Sequence, residues 1–403
     1  MARGLAQRAV HAYRPWVAAT STGAPDLSVA ATQHVPRVGE RRIGTLDGLR
    51  AISIALVLFA HLRGTAGFLP QPARRLDFGQ LGVTVFFVIS GYLITSLLLD
   101  ELDKSGTIRL RRFYLRRTLR IFPAFYVAII GLTLAHAAGL VPMRPGDLPA
   151  AATYTMNFRP SPAWTFGHTW SLAVEEQFYI LWPLALRSLG RRRGIVLAVA
   201  VLVLAPVIRT LLHRLVPAFE PLIDQSFPTV ADSIAGGCLL ALGRGALDRS
   251  AAYLRFVRSP AFWLAPTVAL LASAMEPHPA VYNLAGKSVE IAAITITLDG
   301  CMRNAAGSTR WLDWAPLSFV GTLSYSLYLW QQPFLNRTDP RPFTAFPLNL
   351  VLVVGFALAS YYGVERPFLR LRQWLERRRP PRRSSWPWGK KLTSELRPLP
   401  PPA

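Results

Sequence analysis

Apolar blocks, each close to twenty residues long and separated by short basic or Pro-rich connectors, run through this chain from about residue 47 to 364. About 20 mostly apolar residues carry a helix across the hydrocarbon core of a bilayer. Backbone N–H and C=O groups cannot stay unpaired in lipid, so blocks of that length are expected to be helical. Ten spans are expected, at 47–66, 80–99, 121–141, 168–187, 194–212, 227–243, 260–275, 284–301, 315–334 and 345–364. The expected fold class is therefore all-α, a polytopic transmembrane helical bundle of about 10 spans.

Composition bears on which partners such a chain could have. Of its 403 residues 51% are hydrophobic and 17% charged, where a soluble domain carries about a quarter charged. A net charge of +23 would suggest nucleic acid in a soluble protein. Here the arginines lie between the apolar blocks and in the tail, without the aromatic–basic interleaving of a single-strand binder. Membrane topology accounts for them, and no nucleic-acid partner is expected. With the N-terminus inside, most of the 45 Lys and Arg residues face the cytoplasm. That bias implies N-in/C-in and an even number of spans. The expected location is the cell (plasma or inner) membrane, multi-pass.

Three regions are expected. Residues 1–42 form a disordered cytoplasmic leader, rich in arginine, similar to a transit peptide in composition and without an apparent cleavable secretory signal. Residues 43–372 form the transmembrane domain. Residues 373–403 form a basic, Pro-rich cytoplasmic tail suited to an anionic membrane surface. Cys238 and Cys301 lie in or beside apolar blocks and read as small core hydrophobes. No disulfide framework or zinc spacing is visible, and no metal is expected.

Ionisable residues inside spans cost about 2.5–3.5 kcal/mol each on insertion scales, so each asks for a reason. Arg50 and His61 in the first span are eleven residues apart, three turns plus about 20°, and face the same way. One face thus carries a cation near the cytoplasmic surface and a group titrating near neutral pH about 16 Å deeper. The bland account is a snorkelling arginine and a histidine satisfied by a carbonyl. Arg109, Arg112, Arg116 and Arg120 recur at helical spacing with Arg117 beside them. Clustered guanidiniums bind phosphates by bidentate, charge-assisted hydrogen bonds. Ordinary positive-inside charge explains Arg109 and Arg111 well, and Arg116, Arg117 and Arg120 less well. Glu175 and Glu176 open a span beyond Trp170, at the extracytoplasmic depth of His61, where one carboxylate could orient its imidazole. Their bland account is an interfacial carboxylate in an aromatic belt. Asp232 lies within a span, either structural or lining a cavity. Ser90-Gly91 suits close helix packing, and Glu365 closes the last span as a structural end. His136, His168, His213 and His278 have no evident partner.

Taken in order, these blocks resemble the acyltransferase-3 family, of the O-antigen and exopolysaccharide O-acetylase type. The matching segments are LDGLRAISIALVLFAH at 46–61, LGVTVFFVISGYLIT at 81–95, RRTLRIFPAFY at 116–126 and WSLAVEEQFY at 170–179. ADSIAGGCLLA at 231–241, LSYSLYLWQQP at 323–333 and VERP at 364–367 complete the set. The resemblance implies a ten-helix core that takes an acyl group from acyl-CoA, acetyl-CoA above all, as donor substrate, with no permanently bound cofactor. It places the family's Arg-x10-His pair on Arg50 and His61, its Arg-x-x-Arg element on Arg117 and Arg120, and its glutamate on Glu175. Two departures stand out. Gln331 occupies a position often held by His, and Val230 one commonly held by Arg. Some members carry a further hydrolase-like domain after the core; none is visible here, and action without one is expected.

The expected function is O-acyl transfer to a hydroxyl of a carbohydrate or secreted small molecule. His61 and Glu175 would be catalytic, Arg50, Arg116, Arg117 and Arg120 donor-binding, and Asp232 and Glu176 cavity-lining. The competing reading is a transporter or flippase of a lipid-linked sugar with His61 and Glu175 as a proton relay. The absence of matching repeated halves counts against it. A scaffold whose basic tail binds a partner is a third reading.

Overall fold

The computed structural model describes residues 44–70 and 78–377. The expected leader, and the tail beyond Arg377, lie outside the described residues. Every described regular element is helical. The first three are α1 (Gly44–Leu62), α2 (Phe78–Ser105) and α3 (Leu110–Ala137). The Pro-rich connector holds two short helices, α4 (Asp147–Ala152) and α5 (Trp164–Gly167). Then come α6 (Thr169–Leu215), α7 (Phe227–Leu247), α8 (Ala251–Arg258), α9 (Leu264–Ser273), the single turn α10 (Pro279–Val281) and α11 (Lys287–Arg303). The last three are α12 (Ala315–Trp330), α13 (Leu348–Ser360) and α14 (Arg366–Arg377).

Each of the ten apolar windows falls on a helix. Six helical segments among the described residues are long and apolar enough to cross a membrane, or seven if α8 and Pro260–Ser273, bent by 77°, count as one span. The difference from ten has identifiable causes. Helix α6 carries two windows. At 47 residues it would extend about 70 Å straight, over twice the ~30 Å hydrocarbon core. It breaks at Gly190, whose φ of 72° only glycine adopts freely, beside the basic run Arg191–Arg193. Helices α11 and α12 have 17 and 16 residues, too few to count by length alone.

Burial sorts the helices by position. Two-thirds of the apolar window of α2 and of α7 is buried, against 17% for the α5–α6 segment. Helices α2 and α7 therefore form the centre, and α6 presents Ile180, Val196, Val203 and Leu204 outward, as a lipid-facing helix would. Small residues set the central contact. A Cβ at Gly91 would overlap the carbonyl oxygen of Ile234, and one at Gly237 that of Val88. Backbones in close approach are how membrane helices gain contact without a hydrophobic driving force between them. Helices α1 and α12 run in the same direction, with Gly321 against the Asp47 carbonyl at one end and Gln331 against His61 at the other.

Several buried charges are paired. Arg209 bonds Asp232 at 2.7 Å, both almost fully buried. Lys287 bonds Glu290 at 3.1 Å and Thr84 Oγ1 at 2.6 Å. The connector, too, is an ordered piece of structure. The Asp147 carboxylate, fully buried, accepts from the backbone N–H of Arg144 (2.8 Å) and Ala163 (3.0 Å), and from Arg159 Nε (3.1 Å). It thereby ties both ends of the connector and fixes the entry into α5.

Candidate active site

A cleft with an internal volume of about 90 Å³, partly open at its mouth, lies between α1, α2, α3, α6 and α12. Arg50 from α1 and Arg117 and Arg120 from α3 line it together with Glu175 and Glu176 from α6. Helical spacing explains the set. Arg117 and Arg120 are one turn apart on one face of α3, and Arg50 lines the cleft from α1. The Arg117 guanidinium lies over the Tyr179 ring, 3.5 Å from its centroid. Glu365, bonded to Ser326 Oγ and buried, stands near Arg120 and Arg50 as their countercharge. The expected structural end of the last span thus also sets the charge of the site.

Three residues sit elsewhere than the sequence suggested. Arg116 was expected on the phosphate-binding stripe, but it does not line the cleft. It leans to Glu101 at 3.5 Å, because a residue one position before Arg117 is turned about 100° away. Asp232 does not line this cleft either, since its carboxylate is engaged by Arg209. Ser90 was read as a packing residue. Gly91 does that work, while Ser90 lines the cleft, donates to the Glu175 carboxylate, and accepts from Tyr179 OH at 3.2 Å.

The structure therefore places Glu175 with the arginines and Ser90. Helix α6 enters from the His61 end at Thr169, and Glu175 lies six residues, about 9 Å, further along. The group described beside His61 Nδ1 is Gln331 Oε1, at 3.0 Å. Trp164 meets the imidazole edge-on, with ring centroids 5.2 Å apart. Its Nε1 donates to the Gln332 carbonyl at 2.9 Å. Pro333 has no N–H for a continuing helix, so the chain turns after Trp330 and brings Gln331 and Gln332 against α1.

Between cleft and histidine lies a layer around Tyr328. Its hydroxyl meets Ser171 Oγ at 2.6 Å and donates to the His168 carbonyl at 3.0 Å. The buried His168 ring packs against it, 5.5 Å between centroids, and is an electrostatic neighbour of His61. Ser171 and Tyr328 line the inner end of the cleft. Sequence reading did not single out Trp164 or Tyr328, and it left His168 without a partner. Tyr328 lies 160 positions from His168, so that pair gives no shared spacing signal. The other histidines have ordinary roles where contacts are described: His136 meets the Val141 carbonyl and His213 meets Glu220.

Apolar helices around a cleft of arginines and glutamates, with a histidine beyond its inner end, define a multi-pass membrane protein with ionisable groups gathered inside its bundle. The acyltransferase domain family of the acyltransferase-3 type matches residues 43–366, and the chain belongs to that family. Among curated relatives, it is 28% identical over 339 residues to the peptidoglycan O-acetyltransferase OatA of Listeria monocytogenes, covering 76% of this chain and 52% of that protein. It is 28% identical over 356 residues to the O-acetyltransferase OatA of Staphylococcus aureus, covering 81% of this chain and 57% of that one. The chain thus spans about half the length of these relatives. No solved structure matches it at a significant level.

Proposed function

We propose that this chain is an O-acyltransferase of the cell membrane that moves a short acyl group from acyl-CoA to a hydroxyl of a cell-surface carbohydrate. The named activity of the relatives makes peptidoglycan the first acceptor to try. The observation that carries the reading is the cleft itself. Three guanidiniums from two helices converge in it, and one of them, Arg50, belongs to α1, which carries His61 further along. Arginines in that number, with Glu365 as near countercharge, suit the phosphates of a nucleotide-type donor.

The orientation we propose is N-in/C-in, with ten crossings counted from both arms of α6 and the short α11 and α12. The arginine mouth then faces the cytoplasm, where acyl-CoA is found, and His61 lies toward the opposite face. Arg50, Arg117 and Arg120 hold the donor phosphates, and the thioester arm extends along the cleft past Glu175 to Tyr328, whose layer must part for the thioester to reach His61. Glu175, with Glu176 behind it, orients the arm or the entering hydroxyl from the cleft wall. His61 takes the proton of the acceptor hydroxyl as its oxygen attacks the thioester carbonyl. The C–S bond breaks, and the imidazolium returns the proton to the departing thiolate. No permanently bound cofactor enters this scheme.

The test is acetyl transfer from radiolabelled acetyl-CoA by detergent-purified protein, with peptidoglycan fragments as acceptor and CoA release measured in parallel. Loss of a single acid–base group lowers rates by about 10²–10⁴-fold, so His61→Ala is expected to lose transfer to that extent while remaining folded. Equal turnover by wild type and His61→Ala would overturn this site. Failure of both with every acyl donor tried would overturn the enzyme reading in favour of transport.

A further inference from the structure

His61 is held from two sides by the chain just past α12. Gln331 Oε1 stands 3.0 Å from Nδ1. Trp164, packed edge-on against the imidazole, is anchored on the Gln332 carbonyl. Gln331 is fully buried. Its Nε2 has no hydrogen-bond partner among the described residues, so the contact with His61 is the one described bond of this side chain. A buried amide with one of its two polar atoms unpaired is less favourable than an apolar side chain of the same shape. A leucine would fill the place more favourably. What a leucine lacks is an acceptor for an imidazole N–H.

We propose that Gln331 is the positioning residue of His61. Its amide oxygen accepts from Nδ1–H, which fixes the tautomer and leaves the lone pair on Nε2, the nitrogen that takes the acceptor's proton. The inference rests on the acyl-transfer reading above and deepens it. The choice of an amide has a chemical consequence. A carboxylate in this place would orient the ring and also stabilise its protonated form. A neutral amide orients the ring with far less of that stabilisation, so the imidazolium formed during attack gives its proton up readily to the leaving thiolate. Trp164 packs against the same ring at 5.2 Å between centroids and helps hold its position.

Two measurements test it on full-length protein. The first is ¹⁵N NMR of histidine-labelled protein in nanodiscs, with the His61 resonance assigned from its loss in His61→Ala. Wild type is expected to show the Nδ1–H tautomer. Gln331→Leu is expected to show a mixture, and Gln331→Glu, which can only accept, to restore the wild-type form. The second is steady-state acetyl transfer from acetyl-CoA. Gln331→Leu is expected to lower kcat at least tenfold with KM for acetyl-CoA changed by less than twofold, and Gln331→Glu to recover part of the loss. Unchanged kcat and tautomer in Gln331→Leu would overturn the proposal. So would the Nε2–H tautomer in wild type, which makes the amide nitrogen the working atom. If wild type and His61→Ala transfer equally, the acyl-transfer reading fails, and the tautomer measurement still decides what Gln331 does.

Discussion

At the scale of single residues, the site separates into groups that touch the cleft and groups that were expected to. Arg117 and Arg120 line it, whereas Arg116 is turned to Glu101. The two should therefore respond differently to the same change. Arg120→Ala is expected to raise KM for acetyl-CoA at least tenfold, the loss of about 1.4 kcal/mol of binding. Arg116→Ala is expected to change it less than threefold. Initial-rate kinetics over a range of acetyl-CoA concentrations distinguish them, and equal effects would place the phosphates on the outer stripe of α3. Asp232 is a second case. An aspartate in an apolar span invites a functional role, yet Arg209 bonds it at 2.7 Å out of contact with solvent. Removing one partner of such a pair strands the other, typically at a cost of 3–5 kcal/mol. Loss of activity on mutating it therefore says little about chemistry unless folding is measured too.

At the scale of elements, two contacts decide whether the site assembles. The first is the crossing of α2 and α7, where Gly91 and Gly237 let backbone meet backbone. Because α2 also carries Ser90, a shift there moves the partner of Glu175. Gly237→Ala is expected to destabilise the protein by about 1–3 kcal/mol and to lower its thermal unfolding temperature in detergent; an unchanged temperature would mean the helices can part without cost. The second is the connector between α3 and α6, organised by Asp147. Its carboxylate accepts from the N–H of Ala163, the residue before Trp164. Asp147→Ala leaves three donors unsatisfied, at about 1–3 kcal/mol each if they stay buried. The expected outcome is faster proteolysis between 142 and 163, with a fall in kcat as Trp164 leaves His61. Proteolysis unchanged from wild type would show that the connector holds its shape by packing alone.

At the scale of the whole molecule, the question is which end of the bundle faces which side of the membrane. The proposed orientation puts the Gly190 turn of α6 in the cytoplasm and the loop between α12 and α13 outside. Both native cysteines, Cys238 and Cys301, are buried, so introduced cysteines can be labelled against a low background. Thr338→Cys is expected to react with a membrane-impermeant maleimide in intact cells, and Arg192→Cys only after permeabilisation. The reverse pattern would invert the bundle and turn the arginine mouth outward, away from any cytoplasmic donor.

The sequence by itself determined that this chain is a helical membrane protein, since blocks near twenty apolar residues have no other stable form in lipid. It also determined that Arg50 and His61 share a face, and that Arg117 and Arg120 share another, because 3.6 residues per turn relates positions within one helix. All ten apolar windows coincide with helices for the same reason. What no single-helix periodicity could supply was the contact between helices. Tertiary structure alone decided that Glu175 meets Ser90, that Gln331 and Trp164 flank His61, that Arg209 claims Asp232, and that Tyr328 and His168 stand between cleft and histidine. These pairs are joined by packing and hydrogen bonds across 23 to 270 positions of chain. Such contacts depend on where glycines let helices cross and where Gly190 and Pro333 break them, and those crossings exist only in the assembled bundle.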